Sequence, residues 1–213
     1  MAPRFLVRAL EPVIRALLAH GPHDAVDGFK LFAVPAESRR LVKGLELLRA
    51  VDPRRYRRAQ RYAHRLIAAH RTDYDTDTGG CFLNRANLDS PLNVAVEVLR
   101  LGTYGRFVAG KGVAYKGAWI ERLDRIAAHE KFRFLWRHAQ RERWDEPSRS
   151  AWLREWVDYE SRLLLEHRAE KLGTPFSESA YEQRRAAIPQ TFLRARDLIT
   201  AFDTSIDKWH GRH

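Results

Sequence analysis

Apolar residues recur every three or four positions along most of this chain, with charged residues between them, so the pattern is mainly helical. A first helix is predicted over residues 3–19. Leu6, Leu10, Val13, Ile14 and Leu17 fall on one side of it, and Arg4, Arg8, Glu11 and Arg15 form a stripe on the other. Pro3 is tolerated in the first turn, and Gly21-Pro22 ends the run. Such a face suits packing on the rest of the domain better than lying on a membrane surface. A loop is expected from there to Pro35, held down by Phe29, Leu31 and Phe32.

A second helix is predicted from about Ala36 to Ala50. Asp52 then caps a third, with Pro53 at its first position. The third helix is expected to reach about His70, with Arg54, Arg58, Arg61 and Arg65 on one stripe and Tyr62, Ala63, Leu66 and Ile67 opposite. Residues 73–80 are a turn cluster, and residues 81–84 a short apolar strand. Ser90-Pro91 opens a fourth helix to about Val108, followed by a glycine-rich connector to Gly117. Long helices are predicted over 118–141, 148–171, 178–187 and 189–207, punctuated by Pro147, Gly173, Pro175 and Pro189. The expected class is α+β and predominantly α-helical, a single domain over residues 1–213. N-terminal helices would fill 1–50, a core 51–141 and C-terminal helices 142–213, with a minimal strand pair around 72–84.

Composition narrows this picture. A hydrophobic fraction of 45% and six Trp are enough for a packed core. No stretch approaches the ~20 apolar residues of a membrane-spanning helix, and the N-terminus has no uninterrupted apolar centre with a small-residue cleavage site. Cys81 is the lone cysteine, which excludes an internal disulfide and cysteine-rich zinc modules; a reducing, cytoplasmic setting is expected. The net charge of +11 comes almost wholly from arginine spread along the chain. It permits a polyanion partner such as nucleic acid without requiring one, and the Arg54, Arg58, Arg61, Arg65 stripe is the best local candidate.

Most candidate chemistry fails on spacing. His64 and His70, on a common helix, would point ~120° apart; His129 and His138 would lie on opposite faces. His20 and His23 lack a third ligand nearby. His129-Glu130 begins like a metalloprotease motif, but Arg133 stands where the second His is needed. There is no Gly-x-Ser-x-Gly elbow, Cys81 has no identifiable base, and the connector lacks the spacing of a phosphate-binding loop. The alternating Asp73, Asp75 and Asp77 lack the glycine and the closing glutamate of a calcium loop, with Thr78 and Asn84 in those places. Glu155, Asp158 and Glu160 read as ion-pair partners, and the aromatic set Trp119, Phe132, Phe134, Trp136, Trp144, Trp152 and Trp156 reads chiefly as core.

One stretch carries a likeness. Gly80-Cys-Phe-Leu-Asn-Arg-Ala-Asn-Leu-Asp-Ser-Pro91, then Val98-Leu-Arg-Leu-Gly-Thr-Tyr-Gly-Arg106, then Gly112-Val-Ala-Tyr-Lys-Gly-Ala-Trp-Ile-Glu-Arg122, resembles a group of uncharacterised bacterial zincin-like proteins over roughly residues 45–140. In that group a short strand precedes a helix reading Leu-Ile-His-Glu-Ala-Thr-His-Gly-Arg. The resemblance implies that Arg100 stands in place of the first metal-binding His, Leu101 in place of the general-base Glu and Tyr104 in place of the second His; Thr103, Gly105 and Arg106 are kept. Zinc chemistry of that kind needs two neutral imidazoles and a carboxylate that deprotonates bound water. Arg100 repels a cation, Leu101 takes no proton, and Tyr104 is a poor single ligand. Glu97 lies one turn before Leu101, about 6 Å along the axis, and does not reach its place. Glu130 falls near the position of a third, glutamate ligand, which alone makes no zinc site. The expectation is therefore a catalytically inactive zincin-like protein with no catalytic residue, metal or cofactor, in which Arg100 and Tyr104 engage an unknown partner or anion. The alternatives are a basic helical protein binding nucleic acid through the Arg54–Arg65 face, and a hydrolase with an unrecognised metal site built from Asp73, Asp75, Asp77 and Glu130.

Overall fold

The computed structural model describes residues 24–113, 118–173, 175–186 and 188–207. The helix expected over 3–19, with His20 and His23 after it, lies outside them, as does the 114–117 part of the glycine-rich connector. The chain forms two compact units, Met1–Leu123 and Asp124–His213.

In the first unit the order is β1 (Asp24–Val26), β2 (Phe29–Phe32), α1 (Pro35–Val51), α2 (Pro53–Tyr62), β3 (Arg65–Ala69), β4 (Asp73–Tyr74), β5 (Gly80–Asn84), a 3-10 turn (Arg85–Asn87) and α3 (Pro91–Lys111). The strands form one five-stranded mixed sheet in the order β1-β2-β3-β5-β4. The β2–β3 and β3–β5 pairs are parallel; β1–β2 and β4–β5 are antiparallel. The α+β, mostly helical class holds, but the minimal strand pair does not. The pair expected around 72–84 is only the β4–β5 edge of a larger sheet.

Two runs account for the difference. The expected loop before Pro35 is a hairpin. Asp27 and Gly28 have φ of 47° and 82°, the doubly left-handed turn whose twist matches two antiparallel strands. The expected third helix stops at Tyr62 rather than His70, because its C-terminal carbonyl already abuts α3: a Cβ on Gly105 would lie 2.2 Å from Tyr62 O. The chain leaves helical geometry at Ala63. Lys30 N–H then donates to His64 O at 2.7 Å, which starts the β2–β3 ladder. Arg65, Leu66 and Ile67 therefore belong to a strand and alternate between its faces.

That alternation builds the core. Leu31, Leu66, Cys81 and Tyr74 are register neighbours across four strands, all buried on one face with Phe29 and Leu83. α1 packs on β2, α3 packs on β4 and β5, and α2 packs against α1 and α3. Each fully buried leucine here contributes about 1.5–3 kcal/mol relative to exposure. Lys30, Phe32, Arg65, Ile67, Phe82 and Asn84 project to the other face and are half-buried.

α4 (Ala118–Arg141) crosses the boundary between the units. The second unit continues with α5 (Glu146–Leu172), α6 (Glu178–Arg185) and α7 (Ala195–Asp207). Phe132, Leu135, Leu153, Val157, Phe192, Leu198, Phe202 and Ile206 are fully buried in it. The last helix starts at Ala195, later than the expected residue 189. Asp197 Oδ2 accepts the backbone N–H groups of Leu193 and Arg194, at 3.1 and 2.8 Å, which caps the helix there. No helix among the described residues is long and apolar enough to cross a membrane.

Candidate functional site

The positions singled out on α3 owe their placement to how that helix is built. Ser90 Oγ accepts the Asn93 N–H at 3.3 Å and Pro91 occupies the first turn. Gly112, with φ of 65°, ends the helix. Gly102 and Gly105 let α2 approach closely: a Cβ on Gly102 would sit 3.3 Å from Ala59 Cα. Gly105 and Thr103 thus have structural roles. Gly105 clears the end of α2, and Thr103 is buried and donates its hydroxyl to Leu99 O at 2.9 Å.

Arg100 and Tyr104 share one stripe of α3, where the guanidinium lies 5.7 Å from the Tyr104 ring centroid. Arg100 Nε stands 3.4 Å from Glu97 Oε2, making a partly buried ion pair. Leu101 is fully buried in the core and Tyr104 is 3% exposed. The three positions therefore do not converge on one open hollow. Arg100 keeps about a fifth of its side chain exposed. Glu130 lies in the second unit and pairs with Arg133 of its own helix at 3.2 Å.

The arginine stripe changes membership. Arg54 and Arg61 are exposed on α2, Arg58 is half-buried, and Arg65 sits in β3 with Nη1 donating to Thr78 O at 2.8 Å. Arg57, outside the expected stripe, is exposed beside them. The 54, 57, 61 spacing was the available signal, since residues three and four apart are neighbours on a helix. Arg55 is buried and paired with Asp52 at 2.5 Å.

The acidic turn is occupied by its own hydrogen bonds. Asp75 Oδ1 accepts Asp77 N–H at 2.9 Å and Oδ2 accepts the Thr78 hydroxyl at 2.5 Å, while Asp73 pairs with Arg71 at 3.1 Å. Asp73, Asp75 and Asp77 belong to the first unit and Glu130 to the second.

The histidines are likewise dispersed. His64 and His70 flank β3 rather than sharing a helix; burial, with Arg65 and Lys30 nearby, holds the His64 pKa below its ordinary value. His129 Nε2 meets Asp203 Oδ1 at 2.8 Å. His138 sits among Phe134, Trp144 and Trp152, and burial keeps its pKa low. Cys81 is fully buried mid-strand, where desolvation pushes its thiol far above the ordinary value, so it is no nucleophile. Among the described residues no group of three or more His, Cys, Asp or Glu side chains could hold a metal ion.

In the second unit two of the three interleaved carboxylates are in ion pairs, Asp158 with Arg185 at 3.1 Å and Glu160 with Lys131 at 2.7 Å. A groove of about 650 Å³ runs beside α5 and α6, lined by Glu146, Arg154, Glu155, Asp158, Arg185 and Gln190. Both arginines are held in its wall: Arg154 Nη1 donates to Gln190 Oε1 at 2.7 Å, and Arg185 is the partner of Asp158.

Comparison of the chain with protein-family models, curated proteins and solved structures gives no match.

Proposed function

We propose that this chain is a catalytically inactive, zincin-like protein that acts by binding a partner carboxylate or other anion. One observation carries the reading: Arg100, at the position of the first metal-binding imidazole in the resembling group, is ion-paired with Glu97 and stacked over Tyr104. A guanidinium fixed in that way presents planar donors that suit a carboxylate and repel a divalent cation. The order of elements is compatible with it, since α3 follows β5, a five-residue strand that pairs antiparallel with the edge strand β4.

Two measurements test the reading. Elemental analysis of protein purified without a histidine tag or chelators should find no stoichiometric transition metal, and one equivalent of zinc would overturn it. An acidic model peptide should bind the native chain and bind Arg100→Ala more weakly; equal affinity for both would sink the carboxylate assignment.

A further inference from the structure

A second surface of the first unit combines cationic and aromatic side chains on two helical stretches that contain no acid. α2 from Pro53 to Tyr62 contains no Asp or Glu, and neither does α3 from Val98 to Lys111. Arg54, Arg57 and Arg61 are exposed along α2. At about 100° and 1.5 Å per residue they fall within roughly 60° of one another, spread over ~10 Å of helix. The row continues onto α3. Arg61 lies over the Tyr62 ring at 5.3 Å. That ring covers Gly110, where a Cβ would meet Tyr62 Cε1 at 2.8 Å. Beside Gly110, Lys111 and Arg106 lie over Phe107 at 4.8 and 5.7 Å. Five cations thus follow one another across two helices, with two aromatic rings between them.

Like charges at helical spacing repel, and neither helix supplies a carboxylate along these stretches to offset the repulsion. An external polyanion relieves it. We infer that the Arg54–Arg57–Arg61 row with Arg106 and Lys111 binds the phosphodiester backbone of a nucleic acid, independently of base sequence. Arginines spaced three and four residues apart stand ~4.5–6 Å apart along the axis, comparable to successive phosphates on one strand, and their planar donors suit phosphate oxygens. An anionic membrane is the poorer fit. A helix that lies on lipid buries an apolar face, and the large exposed apolar residues among the described ones (Val34, Trp119, Tyr159, Leu163 and Leu193) all lie off α2 and α3. The inference stands apart from the reading of Arg100, which is not among the five cations.

The test is fluorescence anisotropy of the full chain with one labelled oligonucleotide, single-stranded and duplex, over a series of salt concentrations. Binding should weaken linearly in log–log form, with a slope of about −3 to −4 for five cations partly engaged. Arg57→Gln/Arg61→Gln should lose about tenfold or more in affinity at low salt and flatten the slope by roughly one to two. The same loss of charge at the exposed Arg133 and Arg137 of α4 should change both much less. All four side chains are exposed, so circular dichroism should report an unchanged fold. Three outcomes would overturn the inference: no binding of either oligonucleotide at low salt, equal losses in the two double variants, or binding of phosphatidylserine vesicles without binding of oligonucleotide.

Discussion

The phenol of Tyr56 on α2 donates a 2.9 Å hydrogen bond to Asp27 Oδ2 in the β1–β2 turn. Arg49 of α1 reaches the same oxygen at 2.5 Å, and Gln60 Nε2 donates to the Asp27 carbonyl at 2.6 Å. One left-handed turn residue therefore fastens the sheet edge to both helices of the crossover. Tyr56→Phe should cost about 1–2 kcal/mol. Asp27→Ala should cost more, since it also places a Cβ-bearing residue without a polar side chain at positive φ. Asp27→Gly separates the two effects, keeping the turn and losing the carboxylate. Denaturant midpoints decide: if Ala and Gly are equally destabilised, backbone strain adds nothing.

The same contact predicts lability to alkali. Burial first, then the hydrogen bond to Asp27, pushes the Tyr56 pKa from 10.0 up to about 12, and burial does the same for Tyr74. Between those values the folded chain keeps phenolic protons that the unfolded chain has lost, so stability falls as pH rises. The contribution is whole below pH 10 and disappears towards pH 12. Melting temperature should drop over that window, and less steeply in Tyr56→Phe. Parallel curves for the two proteins would contradict the assignment.

At the acid end the sign reverses. Burial holds the pKa of His64 and of His138 below the ordinary 6.5, so the unfolded chain takes up protons first as pH falls. Stability should then decline as pH drops below 6.5. His138→Gln should shallow this decline; an unchanged pH dependence would show that His138 is not held neutral.

Gly105 tests the packing of α2 on α3. Its Cβ would lie 2.2 Å from a backbone oxygen, Tyr62 O, that no side-chain rotation can move. Gly105→Ala should cost about 1–3 kcal/mol or more through overpacking. Gly102→Ala, with 3.3 Å to Ala59 Cα, should be milder. Thermal melts that rank the two the other way would refute this view of the contact.

Lys131 and Glu160 meet at 2.7 Å with side chains 1% and 7% exposed. Lys131→Met leaves a buried carboxylate and should cost about 3–5 kcal/mol, whereas Lys131→Met/Glu160→Leu should recover most of it. A double variant no better than the single one would mean the pair's surroundings demand both charges.

Much of this was legible in the residues. Asp52-Pro53 and Ser90-Pro91 mark two helix starts, because a side-chain acceptor and an imino residue at the first turn leave little else for the backbone to do. Asp27-Gly28 carries hairpin-turn residue types, but the strands beside it have only three and four residues, so the stretch reads as a loop. Arg65–Ala69 was not legible in the same way. A five-residue run with two large apolar residues fits a helix face as well as a strand, and what ends α2 is Gly105, far along the chain. The cationic row shows the same limit. Its α2 members are a spacing, but Tyr62 covering Gly110 is a tertiary contact, and only that contact joins them to Lys111. Arg100, Leu101 and Tyr104 stood out only through a resemblance in sequence, whereas the burial of Leu101 and Tyr104 follows from which side of α3 faces the sheet and helices.

The sheet's two outer strands are its shortest kind: β1 has three residues and β4 two. Each offers few unpaired backbone groups, and β4 opens with Asp73, already engaged by Arg71. A neighbouring molecule seeking to extend the sheet by strand addition would find almost no template at either side, and a charge at one of them. In a chain whose inner strands are rich in Leu, Ile and Phe, that truncation is what guards against edge-to-edge aggregation.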